Sequence, residues 1–282
     1  MNAASWVDPP VTAVREVVAR ALAEDLEPSG DLTSALLPGD ATATARFVAR
    51  TDGVVAGRLC AVETLLAVDP SLRVEWLLVD GAAVTPGAEI ARVSGRFASI
   101  LTAERTALNF LCHLSGIASL TNRYVRAAAG GAQVWDTRKT TPGLRAIEKA
   151  AVRAGGGRNH RGNLSEWILL KDNHLAGLGI TDAIRLARDR WPGRTVECEA
   201  DTVEQFEEAM TAGADLILLD NMSVEQVVTC VEKRGDARRP VLEVSGGIDL
   251  DTVADYARTG VDLIAVGALT HSAPVLDIGL DV

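Results

Sequence analysis

From residue 133 onward, short apolar runs alternate with amphipathic helical patterns. The runs are Gln133–Trp135, Trp167–Leu170, Thr195–Cys198, Leu216–Leu219, Val241–Val244 and Leu263–Val266. Between several of them, apolar residues recur at helical spacing over Thr181–Arg190, Val203–Ala212, Val224–Lys233 and Thr252–Thr259. Thr181, Asp201 or Thr202, Ser223 and Asp249 stand where helix N-caps belong. Strand and helix in alternation predict βα units on a parallel sheet. Every run ends in a polar, charged or glycine residue: Asp136-Thr137-Arg138-Lys139, Lys171, Glu199, Asp220, Ser245-Gly246-Gly247 and Gly267. A β/α barrel builds its active site on the carboxyl ends of its strands. An open doubly wound sheet does so only near one switch point. Because all six ends carry such residues, the pattern predicts a short, closed or nearly closed six-stranded β/α barrel.

The first half reads differently. Val11–Leu26 has the apolar spacing of a helix, whereas Ala41–Arg50 and Arg73–Asp80 alternate like strands. Gly53, Gly57, Gly81, Gly87 and Gly95 punctuate short β segments. This is an α+β pattern, expected to form a separate layer. A long helical pattern over Ala103–Ala129 links the halves, with a break expected at Gly116.

Charge localises the chemistry. The chain has 28 Lys+Arg against 38 Asp+Glu, a net charge of −10. An acidic chain of this kind lacks the broad basic face that a nucleic-acid backbone requires. Residues 136–174 nevertheless hold eight Lys/Arg and four acids, 8 − 4 = +4. Such an island predicts a focused site for a small, multiply charged anion. Three of the four lysines, Lys139, Lys149 and Lys171, lie in it. In a chain that otherwise writes Arg, Lys is kept where a compact point charge serves. No run of ~18 apolar residues predicts a membrane span, and the opening residues lack a secretory pattern. Cys60, Cys112, Cys198 and Cys230 are scattered. They read as reduced thiols of a cytoplasmic protein.

Several residues are candidates for the chemistry. Ser245-Gly246-Gly247, before a helix expected near Asp249, and Val266-Gly267-Ala268 match the phosphate-binding loops after the last two barrel strands. Glu199 and Asp220, at neighbouring strand ends, could bind Mg²⁺ through a phosphorylated substrate, hold ribose hydroxyls, or stabilise an oxocarbenium ion. They could equally be ion-pair partners of Lys171 or Arg138. Glu197 points the same way as Glu199, one layer deeper. His160 and Arg161 follow three glycines, Gly155–Gly157, and could be delivered to a bound anion. His174 reads as a cap of the loop after Lys171.

Taken together these blocks resemble the quinolinate phosphoribosyltransferase family over nearly the full length. The matching elements are Gly30–Thr33, Ala103–Asn109, Asp136–Gly143, Gly155–Gly157 with Asn159–Arg161, Lys171–His174, Glu197–Glu199, Asp220-Asn221, Ser245–Gly247 and Gly267. Two departures are Glu166, where the family commonly has Asp, and Cys112-His113, usually a polar pair. The resemblance implies an N-terminal α/β sandwich domain over 1–108, with 269–282 packing back on it. It further implies a six-stranded β/α barrel over 109–268, the type II phosphoribosyltransferase fold. It also implies a homodimer whose active site borrows Arg105 from the neighbour. The implied reaction joins quinolinate to phosphoribosyl pyrophosphate with Mg²⁺, giving nicotinate mononucleotide, pyrophosphate and CO₂ for NAD biosynthesis. Arg105, Thr137, Arg138, His160 and Arg161 would bind substrate. Lys139, Lys171, Glu199 and Asp220 would be catalytic, with Glu199 and Asp220 at the metal. Residues 245–247 and 266–268 would hold the 5′-phosphate. The competing readings are a paralogue of molybdenum utilisation, a relative that prefers nicotinate, and a non-catalytic barrel that binds a sugar phosphate. The intact Lys171–His174 block and the complete cation set weigh against them.

Overall fold

The computed structural model describes residues 8–282; the reading of the first seven residues lies outside them. The described chain forms two compact units. The first takes in the chain up to Asn122, together with Thr140–Gly156 and Ala268–Val282; the second holds Arg123–Lys139 and Gly157–Gly267.

In chain order the first elements are α1 (Val11–Leu26), β1 (Thr42–Ala49), β2 (Gly53–Val54), α2 (Arg58–Val68), β3 (Arg73–Trp76), β4 (Ala83–Val84), β5 (Glu89–Arg96) and α3 (Phe97–Ala128). Then come β6 (Gln133–Trp135), α4 (Arg145–Ala154), β7 (Ile168–Leu170), α5 (Asp172–Leu175), α6 (Ile180–Arg190), β8 (Val196–Ala200), α7 (Val203–Thr211) and β9 (Leu216–Asp220). The last are α8 (Val224–Arg234), β10 (Val241–Ser245), α9 (Val253–Arg258), β11 (Leu263–Ala265), α10 (Ala268–His271) and β12 (Ile278–Asp281).

The first unit is built on a sheet of order β12-β1-β5-β3, with β2 and β4 as a separate pair. The alternation in β1 is physical: Ala45, Phe47 and Ala49 are buried, while Thr44 and Arg46 are exposed. Phe47, Ile90, Val93, Leu65, Ile100 and Leu111 pool their side chains in one core drawn from strands and from α2 and α3. The last strand, β12, pairs antiparallel with β1, Phe47 opposite Leu280.

The expected break at Gly116 does not occur; α3 runs through it. Glycine is there because the returning chain passes close by: a Cβ at 116 would stand 2.1 Å from the Pro274 carbonyl oxygen. Position 108 also lies inside this helix, so the change of unit comes later, at 122/123.

The second unit carries six parallel strands in the order β6-β11-β10-β9-β8-β7. That order is cyclic in sequence, as a barrel requires. Its joints are backbone ladders except the one between β6 and β7, where Trp135 instead bridges Arg158 ahead of β7. The barrel is therefore nearly closed. All five residues of β8 are buried, as expected of a strand covered on both faces.

Two expected caps differ. Thr181 lies inside α6, where its N–H and hydroxyl donate to Glu208, and Gly179 holds the N-cap position. Asp249 accepts from the N–H groups of Asp251 and Thr252 in a turn ahead of α9, so the helix starts at Val253. Thr202 and Ser223 do cap α7 and α8, each accepting from a backbone N–H three residues on.

The Gly116 contact yields a stability test. Gly116→Ala should destabilise the protein by about 1–3 kcal/mol, because a well-packed site must open to take the methyl. Gly39→Ala, with nothing within 4 Å of the added carbon, is the control. Thermal or denaturant unfolding of both variants should show a lowered midpoint for the first alone.

Candidate active site

Parallel register places the polar residues on one rim. Glu199 pairs with Leu218, Ser245 with Asp220, and Glu243 with both Leu218 and Leu263. Residues in register point to the same face, and alternate residues along each strand share it. Glu197, Glu199, Asp220, Glu243 and Ser245 therefore face one side, and Cys198, Ile217, Leu219 and Val244 the other. Lys171 follows β7 at the same end.

Below the rim lies a buried ionic cluster. Glu197 is 0 % exposed, Glu243 2 % and His160 7 %. His160 Nε2 lies 3.4 Å from Glu197 Oε1 and 3.3 Å from its Oε2. It stands 3.4 Å from Glu243 Oε2, an ion-pair contact without hydrogen-bond geometry. Trp167 Nε1 donates to Glu197 Oε2 at 2.7 Å, and the Trp167 ring lies against the imidazole with centroids 4.9 Å apart. Asp136 fixes the segment from the other side. It accepts from the His160 N–H at 2.9 Å and from Asn159 Nδ2 at 2.6 Å. Burial opposes a charge on the imidazole, but Glu197 and Glu243 outweigh it and lift its pKa to about 10. Burial, with Glu197 close by, pushes Glu243 up to about 7 against the opposing pull of His160.

Next to this cluster Arg161 is 7 % exposed. Its Nη1 donates to the Trp167 carbonyl at 3.2 Å. Burial, then the nearby Arg138 charge, lowers its pKa, although a guanidinium so placed stays protonated. Glu166, the departure from the usual Asp, accepts from the Gly162 N–H at 2.7 Å and so ties this loop.

At the rim, Lys171 Nζ is paired with Glu199, whose other oxygen accepts from the Asp172 N–H at 3.2 Å. His174 Nδ1 accepts from the Lys171 N–H at 3.0 Å, the expected cap. Asp220 is half-buried. Burial, followed by repulsion from Glu199, raises its pKa, and Lys171 pulls the other way. Carboxylate oxygens of Glu199, Asp201 and Asp220 come within 4.8 Å of one another. Three converging oxygen donors suit a hard divalent cation of the Mg²⁺ class.

After β10, Gly246 has φ +94° and Gly247 φ +63°, both left-handed. A Cβ on Gly246 would stand 2.2 Å from Asn221 Oδ1, so only glycine lets the loop pass Asn221. Asn221 itself has φ +54°, and its Nδ2 donates to Asp220 at 2.7 Å. Gly247 has nothing within 4 Å on its Cβ side. Because α9 starts at Val253, any anion here would meet the loop's own N–H groups rather than the expected helix end. Val266 and Gly267 follow β11 in the same unit, whereas Ala268 opens α10 in the first.

Thr137, Arg138 and Lys139 follow β6, with the Thr137 hydroxyl accepting from the Lys139 N–H at 3.0 Å. The basic window is not a single patch. Arg145, Lys149 and Arg153 belong to the first unit, where Lys149 is buried and Arg153 donates to the Asp8 carbonyl. Arg105 also belongs to the first unit. It is exposed and lines a cavity of about 580 Å³ with Arg20, Asp25, Asn109, His113 and Thr141. His113, in the pair that departs from the family pattern, bonds Glu148 at 2.9 Å. Glu243, Asp201 and Trp167 were missed from sequence. The signal for Glu243 was legible: an acid inside the apolar run Val241–Val244, in phase with Ser245.

The chain is also similar to known proteins over nearly its whole length. The family model "Quinolinate phosphoribosyl transferase, N-terminal domain" matches residues 31–115, and "Quinolinate phosphoribosyl transferase, C-terminal domain" matches 117–281. The chain is 46 % identical over 277 residues to a nicotinate-nucleotide pyrophosphorylase [carboxylating] of Mycobacterium leprae, covering 95 % of this chain and 97 % of that one. It is 39 % identical over 292 residues to a chloroplastic relative of the same name from Arabidopsis thaliana, covering 97 % and 84 %. Its structure is similar to that of the nicotinate-nucleotide pyrophosphorylase from Francisella tularensis, with TM-score 0.93, 38 % identity and 97 % coverage of each chain. The chain belongs to the quinolinate phosphoribosyltransferase family and is a phosphoribosyltransferase.

Proposed function

We propose that this chain transfers the phosphoribosyl group of phosphoribosyl pyrophosphate to quinolinate. The pyridine nitrogen attacks ribose C1′ while the bond to pyrophosphate breaks. The C2–carboxylate bond then breaks, its electron pair is held beside the positive ring nitrogen, and C2 takes a proton. The products are nicotinate mononucleotide, pyrophosphate and CO₂, within NAD biosynthesis. The observation that carries this reading is the arrangement of one unit. Carboxylates Glu199 and Asp220 share a rim with Lys171, and the buried cations His160 and Arg161 lie beneath it.

The roles follow from charge. Quinolinate is a dianion, and His160, Arg161, Arg138 and Thr137 offer the donors that fit two carboxylates. Lys139 and Lys171 suit the pyrophosphate side. Glu199 and Asp220 face positive charge as it develops at C1′. Ser245, Gly246 and Gly247, with Val266, Gly267 and Ala268, suit the 5′-phosphate. Glu199, Asp220 and Asp201 would hold Mg²⁺, directly or through water, and the ion would neutralise charge on pyrophosphate. The reading also includes a homodimer in which Arg105 serves the partner's site. It takes the enzyme to be cytoplasmic, in keeping with four free cysteines. Among the described residues no helix is long and apolar enough to cross a membrane.

Pyrophosphate release with quinolinate, phosphoribosyl pyrophosphate and Mg²⁺ tests the reaction. Nicotinate should be used roughly 10⁴-fold less well in kcat/KM, because the missing carboxylate leaves desolvated donors unmatched. Comparable values for the two acids would refute the substrate assignment.

Glu199→Ala and Asp220→Ala should each lower kcat by about 10²-fold or more with the fold intact, if they stabilise transition-state charge. A rise in KM alone would make them ground-state ligands.

The shared site can be tested by complementation between Arg105→Ala and Lys139→Ala, each inactive alone. Half of randomly exchanged dimers are mixed and each has one intact site, so about a quarter of wild-type activity should return. No recovery despite confirmed subunit exchange would place Arg105 in its own chain's site.

A further inference from the structure

The buried acids under the rim are not consumed by the reaction just described. Glu197 and Glu243 stand on strands β8 and β10, both turned to the inner face and both almost wholly sealed from solvent. Carboxylates in such places are costly unless paired. The segment that carries the substrate-side cations meets them: Trp167 Nε1 donates to Glu197, and His160 Nε2 faces Glu197 and, at ion-pair distance, Glu243. Glu197 already accepts from the Trp167 indole, so the two acids are placed to hold the ring.

The chain gains from this in two ways. Nε2 faces two carboxylates, so the ring cannot rotate by a half-turn without giving up both contacts. A proton on Nε2 is also stabilised far more than in a solvated imidazole. Other charged groups stand near the clamp. Asp136 binds the His160 backbone N–H rather than the ring, Arg161 is next in sequence, and Lys171 acts on Glu243 from the rim. The remaining inner-face positions of β9 and β11, Leu216, Leu218, Leu263 and Ala265, are apolar.

We propose that Glu197 and Glu243 are positioning residues that clamp Nε2 of His160 from inside the barrel, fixing an oriented imidazolium beside Arg161 for one carboxylate of the substrate. This rests on the quinolinate reading for the identity of the ligand; the clamp itself does not.

The test uses the full-length protein with ¹⁵N-labelled histidine. In the wild type the His160 ring should remain protonated from pH 6 to 9, assigned by comparison with a His160→Asn variant. In Glu243→Gln the ring should titrate within that window, moving toward the ordinary value of about 6.5. The charge is then present below the lowered pKa and lost as pH rises through it. KM for quinolinate should accordingly be flat with pH in the wild type. In Glu243→Gln it should rise up to about 10-fold for each pH unit above the ring's pKa, while KM for phosphoribosyl pyrophosphate stays level. Glu197→Gln should behave alike, and Glu243→Asp should restore part of the wild-type profile. A His160 ring that titrates near its ordinary value in the wild type, or that is unmoved in both Gln variants, would overturn the clamp. So would a KM raised equally at every pH, which marks a packing role only. Should Glu243→Gln fail to fold, the wild-type titration alone decides. If the wild type ignores quinolinate yet the ring stays charged, the substrate reading fails and the clamp stands.

Discussion

The arrangement of the second unit depends on one constraint, the unbroken parallel register from β7 through β8, β9, β10 and β11 to β6. A strand's side chains alternate between faces, so a slip of one residue would turn Glu197, Glu199 and Glu243 outward against the covering helices. It would also drive Cys198, Ile217 or Val244 inward. With the register as it is, β8 and β10 each send two polar residues to the inner face, two positions apart, the upper at the rim and the lower in the interior. Rim and buried cluster are thus two layers of the same alternation.

That geometry creates an electrostatic debt inside the barrel. Barrel interiors are usually filled by branched aliphatic side chains; here two of the inner positions are glutamates. The compensation comes from one stretch of chain. Asp136 holds Asn159 and the His160 N–H, so the segment after the glycines lies across the barrel with its imidazole directed inward. Trp167 adds the indole N–H. At the rim Lys171 compensates Glu199, so this ion pair is real and is also where the proposed chemistry takes place. The ion-pair role and the functional one are compatible, because a carboxylate that must stay ionised at a barrel mouth needs such a partner in either case.

The sequence exposed the strands and most helices because their burial follows simple periods. Gln133–Trp135 is found as read, and the other five runs within a residue or two. What it hid were features set by tertiary approach. Gly116 looks like a helix breaker in one dimension, yet it is a contact with Pro274, 158 positions away in sequence. Asp249 has the composition of an N-cap and closes a turn instead. Lys149, counted among the basic residues of the window, is buried in α4 of the first unit. Charge counting over a window cannot see that the chain changes unit at Thr140 and again at Gly157. Glu243 is hidden in an apolar run because its chemistry lies one layer below the strand end.

On the proposed reading, these two layers divide the labour of recognising a small dianion. Lys139 is exposed and Lys171 is 44 % exposed at the side chain, so both can follow a departing pyrophosphate. His160 and Arg161 are each only 7 % exposed, the first held by Glu197, Glu243 and Asp136 and the second by the Trp167 carbonyl. A cation that is already desolvated and oriented does not repay its burial until a matching anion arrives, which favours a ligand with two carboxylates over one with a single carboxylate. The glutamates lessen that cost for His160 in the empty protein without removing its charge. They do so from the layer beneath the rim, so the pairing that stabilises the ring does not use the rim carboxylates. Fixed charge beneath and adaptable charge above is what a transfer reaction needs when one substrate must be held while part of the other leaves.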